Sequence, residues 1–181
     1  MKVLVTGTST GIGRGIAEKF LAEGHTVIGL DVAESTIAHE NYAHYIADVA
    51  CPEQLPAVEG VEILINNAGV QDSGRDIDVN LRGTIYCTEK YGIQPNIKSI
   101  VMTASVSAHN GAEFPEYCAS KGGVLAYTKN VALRVAKYGA TCNSISAGGV
   151  ITELNAHILE NPALWDQVMA ETLLPKWATV E

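Results

Sequence analysis

MKVLVTGTSTGIG, residues 1–13, is the stretch of sequence that decides the fold. Within it, Lys2–Thr6 is a short apolar run rich in β-branched residues, which predicts a buried strand. Over Ile12–Glu23 the apolar residues recur at helical spacing and a glycine follows, which predicts a helix. A buried strand that passes directly into a helix is the first unit of an alternating α/β architecture.

The turn between this strand and this helix contains three glycines, Gly7, Gly11 and Gly13. Glycines at such a junction let the chain turn tightly and bring backbone N–H groups against an anion at the helix N-terminus. The spacing G-x-x-x-G-x-G differs from the commoner G-x-G-x-x-G and from the P-loop. By itself the turn therefore indicates either a nucleotide-binding site or turn chemistry without a ligand.

Strands and helices continue to alternate along the chain. The further predicted strands are Thr26–Leu30, Tyr42–Ala47, Val61–Asn66, Ser99–Thr103 and Thr141–Ser146, and the further helices are Asp76–Tyr91, Tyr117–Tyr138 and Pro162–Thr172. Alternation of this kind favours a doubly wound parallel sheet covered by helices on both faces, in three α/β/α layers. With 181 residues and no linker-like tract, residues 1–181 are expected to form a single domain.

Composition and charge narrow the classes of partner. No run of about 18 apolar residues occurs, so we expect no membrane-spanning helix. A net charge of −8 without a Lys/Arg cluster argues against nucleic acid and anionic membranes as partners. The four cysteines lack C-x-x-C spacing, which favours a reducing, cytoplasmic compartment. His39 and His44 lack a third ligand, so no metal site is expected.

Asp31 stands at the tip of the second predicted strand. A carboxylate there can accept a hydrogen bond from a ribose 2′-hydroxyl and would repel a 2′-phosphate, which predicts NAD rather than NADP. No basic residue precedes Gly11, where Thr10 stands, but Arg14 follows Gly13 and leaves NADP open as the less favoured cofactor. A solvated loop carboxylate is the alternative interpretation of Asp31.

Tyr117 and Lys121 lie four residues apart in the long predicted helix, so their side chains share one face. A free tyrosine, with a pKa of about 10, is a poor base at neutral pH, and a neighbouring ammonium lowers that pKa by stabilising the phenolate. The pair is therefore a candidate general acid/base. A Y-x-x-x-K spacing also arises by chance in helices. The catalytic interpretation of the pair is therefore supported mainly by the glycine turn and Asp31, which precede it in the sequence.

Taken together, these motifs resemble those of the short-chain dehydrogenase/reductase family, whose members are single-domain oxidoreductases with a Rossmann fold. The matching segments, in the family's order, are TGTSTGIG at 6–13, Asp31, Asp48-Val49, NNAG at 66–69, VN at 79–80, Ser105 in TASVSA, YCASK at 117–121 and NSISAGGVIT at 143–152. Ala147-Gly148 departs from the family's usual Pro-Gly. Family chains also continue into another helix and strand, so we expect this chain to be truncated at its C-terminus.

The resemblance implies a role for each matching position. Gly7, Ser9, Gly11, Ile12 and Gly13 would line the pyrophosphate and adenosine half of the cofactor, and Asp31 would bind the ribose. Asp48 and Val49 would lie by the adenine ring, and Asn67, Ala68 and Gly69 would support the central strand beside the cofactor. Tyr117 would be the general acid/base, Ser105 would hold the substrate oxygen, and Asn80 would hold a water in a proton relay. Lys121 would bind the nicotinamide ribose and tune Tyr117, and Thr152 would contact the nicotinamide carboxamide.

The sequence thus predicts an oxidoreductase that transfers hydride between NAD(H) and a secondary alcohol or ketone. One alternative is an NADPH-dependent reductase of 3-oxoacyl thioesters, against which Asp31 argues. Another is a non-catalytic nucleotide-binding or sensing protein, against which the complete set of catalytic-type residues argues. By resemblance we expect a homodimer or homotetramer. The small-molecule substrate would be selected by the variable loops 106–116 and 150–175.

Overall fold

A computed structural model describes residues 1–112, 114–174 and 176–180, so Glu113 and Pro175 of the two predicted substrate loops lie outside the described residues. Six strands form one sheet in the order β3-β2-β1-β4-β5-β6, and all neighbouring strands are parallel. They are β1 Lys2–Thr6, β2 Thr26–Asp31, β3 Tyr42–Ile46, β4 Ile63–Asn66, β5 Ser99–Ser105 and β6 Thr141–Ala147. The predicted doubly wound parallel sheet is confirmed.

In the described part of the chain, no helix lies between β2 and β3, and the α-helices follow β1, β4, β5 and β6. They are α1 Gly11–Ala22, α2 Thr84–Cys87, α3 Ser107–Asn110, α4 Pro115–Val135, α5 Ala156–Leu159 and α6 Pro162–Ala170, with short 3₁₀ turns at Pro52–Gln54, Ala136–Tyr138 and Glu153–Asn155. Helix α2 continues at both ends into π-helical stretches, Ile77–Gly83 and Thr88–Gly92. No helix among the described residues is both long and apolar enough to cross a membrane.

The core lies on both faces of the sheet, because alternate residues of a strand point to opposite faces. In β1, Leu4 belongs to one apolar cluster, whereas Val3 and Val5 belong to the other. All three side chains are fully buried. Strands that are apolar on both faces are typical of a parallel sheet covered on each side by helices.

The strand order reverses at β1, which lies between β2 and β4. In open parallel sheets, ligands bind beyond the carboxyl ends of the strands at such a reversal. The glycine turn follows β1, Asp31 ends β2, and Asn67 follows β4. Ser105 ends β5, which is two residues longer than predicted because its pairing with β6 continues to Ser105 and Ala147. The sheet therefore brings the predicted site residues to one edge.

The chain after β6 is less deeply packed than the sheet. Helices α5 and α6 contain no buried residue. The segment returns to its own start, since Val150 and Ala178 form a parallel β-bridge and Trp177 packs directly on Gly149. Thr179 and Val180 are not helical. We call residues 148–174 and 176–180 the C-terminal segment.

Candidate active site

The glycine turn after β1 leaves no space for larger side chains. A Cβ atom at Gly13 would overlap the carbonyl oxygen of Gly7, and one at Gly7 would lie 2.9 Å from the Cα of Ala68. Gly7 and Gly11 also have positive φ angles of 76° and 53°, which favour glycine. The turn therefore brings backbone against backbone and begins α1 with its first N–H groups unpaired within the helix.

The first of these N–H groups already holds an anionic group of the chain itself. Gly11 N donates to a carboxylate oxygen of Glu153 at 3.0 Å, and the methyl group of Thr152 packs against Gly11. Carboxylate and phosphate oxygens are both stabilised at a helix N-terminus. The contact thus marks a position at which an anion fits. Ile12, the next residue of α1, is half-buried, and Arg14 pairs with Glu18 at 2.9 Å.

Asp31 is held in one orientation at the carboxyl end of β2. Its Oδ2 accepts a hydrogen bond from Ser9 N at 2.9 Å, and its Oδ1 accepts one from Ala33 N at 3.0 Å. Ser9 is buried in the glycine turn, so this carboxylate and the turn are fixed relative to each other. Each carboxylate oxygen can accept a further hydrogen bond, so Asp31 can still receive a hydroxyl group.

Asp48 and Val49 follow β3 and contact neighbouring residues of the chain. Asp48 Oδ1 accepts from Ala50 N at 2.9 Å, and its Oδ2 pairs with the Arg75 guanidinium at 2.7 Å. Val49 is buried and packs against Gly83. A role for Asp48 and Val49 beside an adenine ring stays a prediction.

The residues after β4 connect that strand to the glycine turn. Thr6 Oγ1 accepts hydrogen bonds from Asn67 N at 3.0 Å and from Ala68 N at 2.9 Å. Asn67 Nδ2 donates to the carbonyl of Thr6 at 3.1 Å. Gly69 then passes close to two predicted catalytic residues, since a Cβ there would lie 3.1 Å from Asn80 Oδ1 and 3.3 Å from Lys121 Nζ. The chain after β4 therefore joins the two halves of the site.

Lys121 is a buried ammonium beneath Tyr117. Only 4% of Lys121 is exposed, its Nζ donates to the carbonyl of Thr103 at 2.9 Å, and it lies 5.6 Å from the centre of the Tyr117 ring. Burial lowers the pKa of Lys121 from 10.5 to about 8, against the opposing effect of the Asp76 carboxylate. A poorly solvated cation in this place favours negative charge and hydroxyl oxygens nearby.

Asn80 lies in the π-helical stretch before α2, and its side-chain amide makes three hydrogen bonds. Its Oδ1 accepts from Val70 N at 2.8 Å, and its Nδ2 donates to Val70 O at 2.9 Å and to Ser120 Oγ at 3.0 Å. Ser120 Oγ in turn donates to the carbonyl of Tyr117 at 2.7 Å. Asn80 thus connects the loop after β4 to the helix that carries Tyr117 and Lys121.

Ser105 ends β5 and is 5% exposed. Its Oγ donates to Ser107 Oγ at 3.1 Å and accepts from Ser107 N at 3.2 Å. Strand β5 also carries the Thr103 carbonyl that accepts from Lys121. The same strand therefore places Ser105 two residues beyond the anchor of the ammonium.

Three residues take part in this geometry without a role predicted from the sequence, namely Asp76, Ser120 and Glu153. Asp76 is fully buried and exerts a charge effect on Lys121, while its carboxylate accepts from Asp72 N at 3.0 Å and from Ser73 N at 2.9 Å. Ser120 connects Asn80 to α4, and Glu153 lies on Gly11 N. The role of Asp76 could have been suspected from the sequence, because it is a carboxylate at the start of a helical run. The contacts of Ser120 and Glu153 join distant parts of the sequence, so no local pattern indicates them.

Comparison with known families and proteins identifies the family to which this fold belongs. The family model described as short chain dehydrogenase matches residues 1–163. The chain is 30% identical to 2-(R)-hydroxypropyl-CoM dehydrogenase of Xanthobacter autotrophicus over 92% of its own length and 81% of that protein. It is 31% identical to a 3-oxoacyl-acyl-carrier-protein reductase of Vibrio cholerae, over 83% of the chain and 74% of the relative.

Solved structures match along nearly the whole chain. A mutant of 4-hydroxyisoleucine dehydrogenase in complex with NADH and succinate superposes with a TM-score of 0.90 at 25% identity, over 99% of this chain and 86% of that one. A putative 2-deoxy-D-gluconate 3-dehydrogenase from Agrobacterium tumefaciens with bound NADP superposes with a TM-score of 0.89 at 25% identity, over 99% and 84%. The similar structures thus include both an NADH complex and an NADP complex.

Proposed function

The chain belongs to the short-chain dehydrogenase family, and from that premise we propose that it interconverts a secondary alcohol and a ketone with NAD(H). NAD(P)-dependent oxidoreduction of CH–OH groups is the activity of the family. The finer assignment to NAD(H) and to the four residues Asn80, Ser105, Tyr117 and Lys121 is our proposal.

The observation that carries the proposal is the buried ammonium of Lys121 beneath the Tyr117 ring, at the sheet edge where the glycine turn also lies. Because burial lowers the pKa of Lys121 to about 8, the group is mostly charged at neutral pH and poorly solvated. A tyrosine beside such a cation gives up its proton more readily than a free tyrosine does. Tyr117 can therefore act as a general acid/base at neutral pH.

The residues of the glycine turn fit the pyrophosphate of a dinucleotide. At Gly7 and Gly13 there is no space for a side chain, so a ligand can approach the backbone of the turn. Gly11 N donates to a carboxylate oxygen of Glu153, which occupies the position proposed for a pyrophosphate oxygen. When bound, the nicotinamide ring supplies the hydride acceptor or donor. Gly7, Ser9, Gly11, Ile12 and Gly13 would hold the cofactor with Asp31, Asp48, Val49, Asn67, Ala68, Gly69 and Thr152, and Tyr117 and Lys121 would hold its nicotinamide end.

The side chains move and hold protons. In alcohol oxidation Tyr117 accepts the hydroxyl proton, while Lys121 stabilises the phenolate that receives it. Ser105 Oγ donates a hydrogen bond to the substrate oxygen, since its hydroxyl can rotate away from Ser107. Asn80 holds the loop after β4 and, by family resemblance, a water through which protons leave. Ketone reduction runs through the same groups in reverse.

Asp31 supports NAD over NADP within this proposal. Its carboxylate is fixed by Ser9 N and Ala33 N at the end of β2. A ribose hydroxyl can donate to it, whereas a 2′-phosphate would bring two negative charges together. Arg14 offers little compensation, because its guanidinium is paired with Glu18.

Reduction of 3-oxoacyl thioesters is the second candidate, favoured by the similarity to the Vibrio cholerae reductase. Asp31 argues against the NADPH dependence of that alternative. A panel containing simple ketones and a 3-oxoacyl thioester, each tested with NADH and NADPH, distinguishes the two. A cytoplasmic location and assembly into a homodimer or homotetramer stay predictions from the sequence.

The test of the proposal is the variant Tyr117→Phe, which removes one hydroxyl group and keeps the ring over Lys121. We expect kcat to fall by about 10²–10⁴-fold with any substrate found, while NADH still binds, because the glycine turn, Asp31 and Lys121 remain to hold it. Tyr127→Phe is the matched control, since Tyr127 lies on the same helix and its hydroxyl donates to Glu89 outside the site. Substantial residual turnover in Tyr117→Phe would refute the assignment.

A further inference from the structure

A closed chain of hydrogen bonds lies behind Asp31 and begins at Tyr42, the first residue of β3. A Cβ atom at Gly29 would overlap the Tyr42 hydroxyl, so the tyrosine crosses β2 at the one residue without a side chain. There its Oη lies 2.8 Å from Thr8 Oγ1, in the glycine turn. The ring thus spans from β3 across β2 to the turn after β1.

The same hydroxyl also contacts His44. Tyr42 Oη lies 3.0 Å from His44 Nδ1, and His44 Nε2 lies 2.9 Å from the carbonyl oxygen of Ala33. A carbonyl oxygen only accepts, so Nε2 carries a proton. The Tyr42 hydroxyl lies between Thr8 Oγ1 and His44 Nδ1 and bridges the two side chains. Both side chains are therefore satisfied by fixed partners.

The chain of contacts ends at the residue that orients Asp31. The Ala33 carbonyl accepts from His44 and from Ser9 Oγ at 3.3 Å, while Ala33 N donates to Asp31 Oδ1. Asp31 Oδ2 accepts from Ser9 N. Because Ser9 follows Thr8 in sequence, the contacts form a closed loop that fixes Ala33 at both its N–H and its carbonyl group.

We propose that Tyr42 and His44 are positioning residues for cofactor selection, which act by holding Ala33 and hence the carboxylate of Asp31. The inference deepens the proposed function and rests on it, since it assumes that Asp31 discriminates between NAD and NADP. Neither side chain needs to touch the cofactor. Without them, Asp31 keeps its hydrogen bond from Ser9 N, but the Ala33 carbonyl loses its contact with His44, and the N–H of Ala33 holds the second carboxylate oxygen of Asp31 less rigidly.

The test measures the Kd of NADH and of NADPH for Tyr42→Phe, which requires no substrate. One lost hydrogen bond corresponds to about a two- to tenfold effect on binding. We therefore expect the Kd for NADH to rise by that factor while the Kd for NADPH stays unchanged or falls. The matched control is Tyr45→Phe, because Tyr45 lies on the same strand and is exposed. It should leave both constants unchanged.

His44→Phe and the double variant show whether the two residues act as one unit. Either single substitution opens the loop, so the double variant should have the same ratio of the two Kd values as each single variant. A merely structural role would lower the thermal midpoint and leave that ratio unchanged. An unchanged ratio in Tyr42→Phe, or effects that multiply in the double variant, would overturn the inference.

The outcomes also separate this inference from the proposed function. If the unmodified chain binds neither cofactor or prefers NADPH, the proposed use of Asp31 fails and this inference falls with it. If the unmodified chain prefers NADH and the variants keep that preference, only the positioning role of Tyr42 and His44 is wrong.

Discussion

The glycine turn and the C-terminal segment meet at Gly11, yet they are built in different ways. In the turn, backbone lies directly on backbone, Gly13 on Gly7 and Gly7 on Ala68, next to strands whose apolar residues are buried. The C-terminal segment contributes two helices without a buried residue and reaches the turn through Thr152 and Glu153. The turn has no space for a methyl group at Gly7 or Gly13. The C-terminal segment contacts the turn through two side chains, which a substitution can replace without a backbone clash.

This difference suggests that cofactor binding and substrate selection depend on different kinds of structure. Binding of a common cofactor depends on close approach of backbone groups, which few sequences permit. Selection of a particular substrate depends on loops, whose exposed side chains can vary without loss of the core. We therefore expect substitutions in the turn to affect folding and cofactor binding together, and substitutions in the C-terminal segment to affect binding alone.

Gly13→Ala should have the largest effect and tests the rigidity of the turn. The added methyl group would overlap the Gly7 carbonyl oxygen, which belongs to the backbone and cannot rotate away. Overpacking of this kind costs about 3 kcal/mol, so we expect the thermal midpoint to fall by about 6–12 °C, with loss of NADH binding.

Gly122→Ala is the control for that variant. Gly122 lies inside α4, and nothing among the described residues comes within 4 Å of a Cβ placed there. Alanine in a helix interior stabilises by about 0.5–1 kcal/mol relative to glycine, so the midpoint should stay or rise. Equal stability of Gly13→Ala and Gly122→Ala would show that the turn is not rigid.

Lys121→Met should have the next largest effect on the thermal midpoint, which we expect to rise in this variant, whereas it falls in Gly13→Ala. Between pH 8 and 10.5 the unfolded chain binds this proton and the folded chain does not, so the free energy of unfolding rises with pH there. At pH 7 the buried ammonium therefore costs about 3 kcal/mol. Removal of the Thr103 hydrogen bond offsets about 1 kcal/mol of the gain.

We expect Lys121→Met to raise the thermal midpoint at pH 7 by about 4–8 °C and to abolish turnover. The advantage should shrink at pH 9.5, where the folded unmodified chain no longer carries the charge. Paired thermal scans at the two pH values measure both effects. A lower midpoint for the variant at pH 7 would show that the ammonium stabilises the fold.

Glu153→Gln should have the smallest effect and tests the contact between the two regions. Its carboxylate accepts from Gly11 N, where a pyrophosphate oxygen would also bind. A charge at a helix N-terminus contributes about 0.3–1 kcal/mol. Removal of this competitor should therefore lower the Kd for NADH by about two- to fivefold.

The matched control is Glu160→Gln, because Glu160 is exposed in the same segment and its loss changes the net charge equally. Titration calorimetry with NADH gives both constants. A Kd for Glu153→Gln that equals or exceeds that of the control would mean that Glu153 does not compete with the cofactor.

The same difference explains how much the sequence could predict. The six strands and the glycine turn were predicted because their signals are local, and the predicted edge residues follow from the strand ends. The short helix α3 was missed inside a loop, and β5 was predicted too short because its last residues pair with β6. The contacts of Glu153 and Ser120 join residues 142 and 40 positions apart, and no local pattern records such pairs.

Titration of the unmodified chain with NADH and with NADPH tests the central claim most directly. Both tryptophans, Trp165 and Trp177, lie in the C-terminal segment with ring centroids 5.3 Å apart, so their fluorescence provides a signal from the chain itself. Because Asp31 is fixed at the end of β2, we predict that NADH binds at least about tenfold more tightly, which corresponds to about 1.4 kcal/mol. Equal or tighter binding of NADPH would contradict the account.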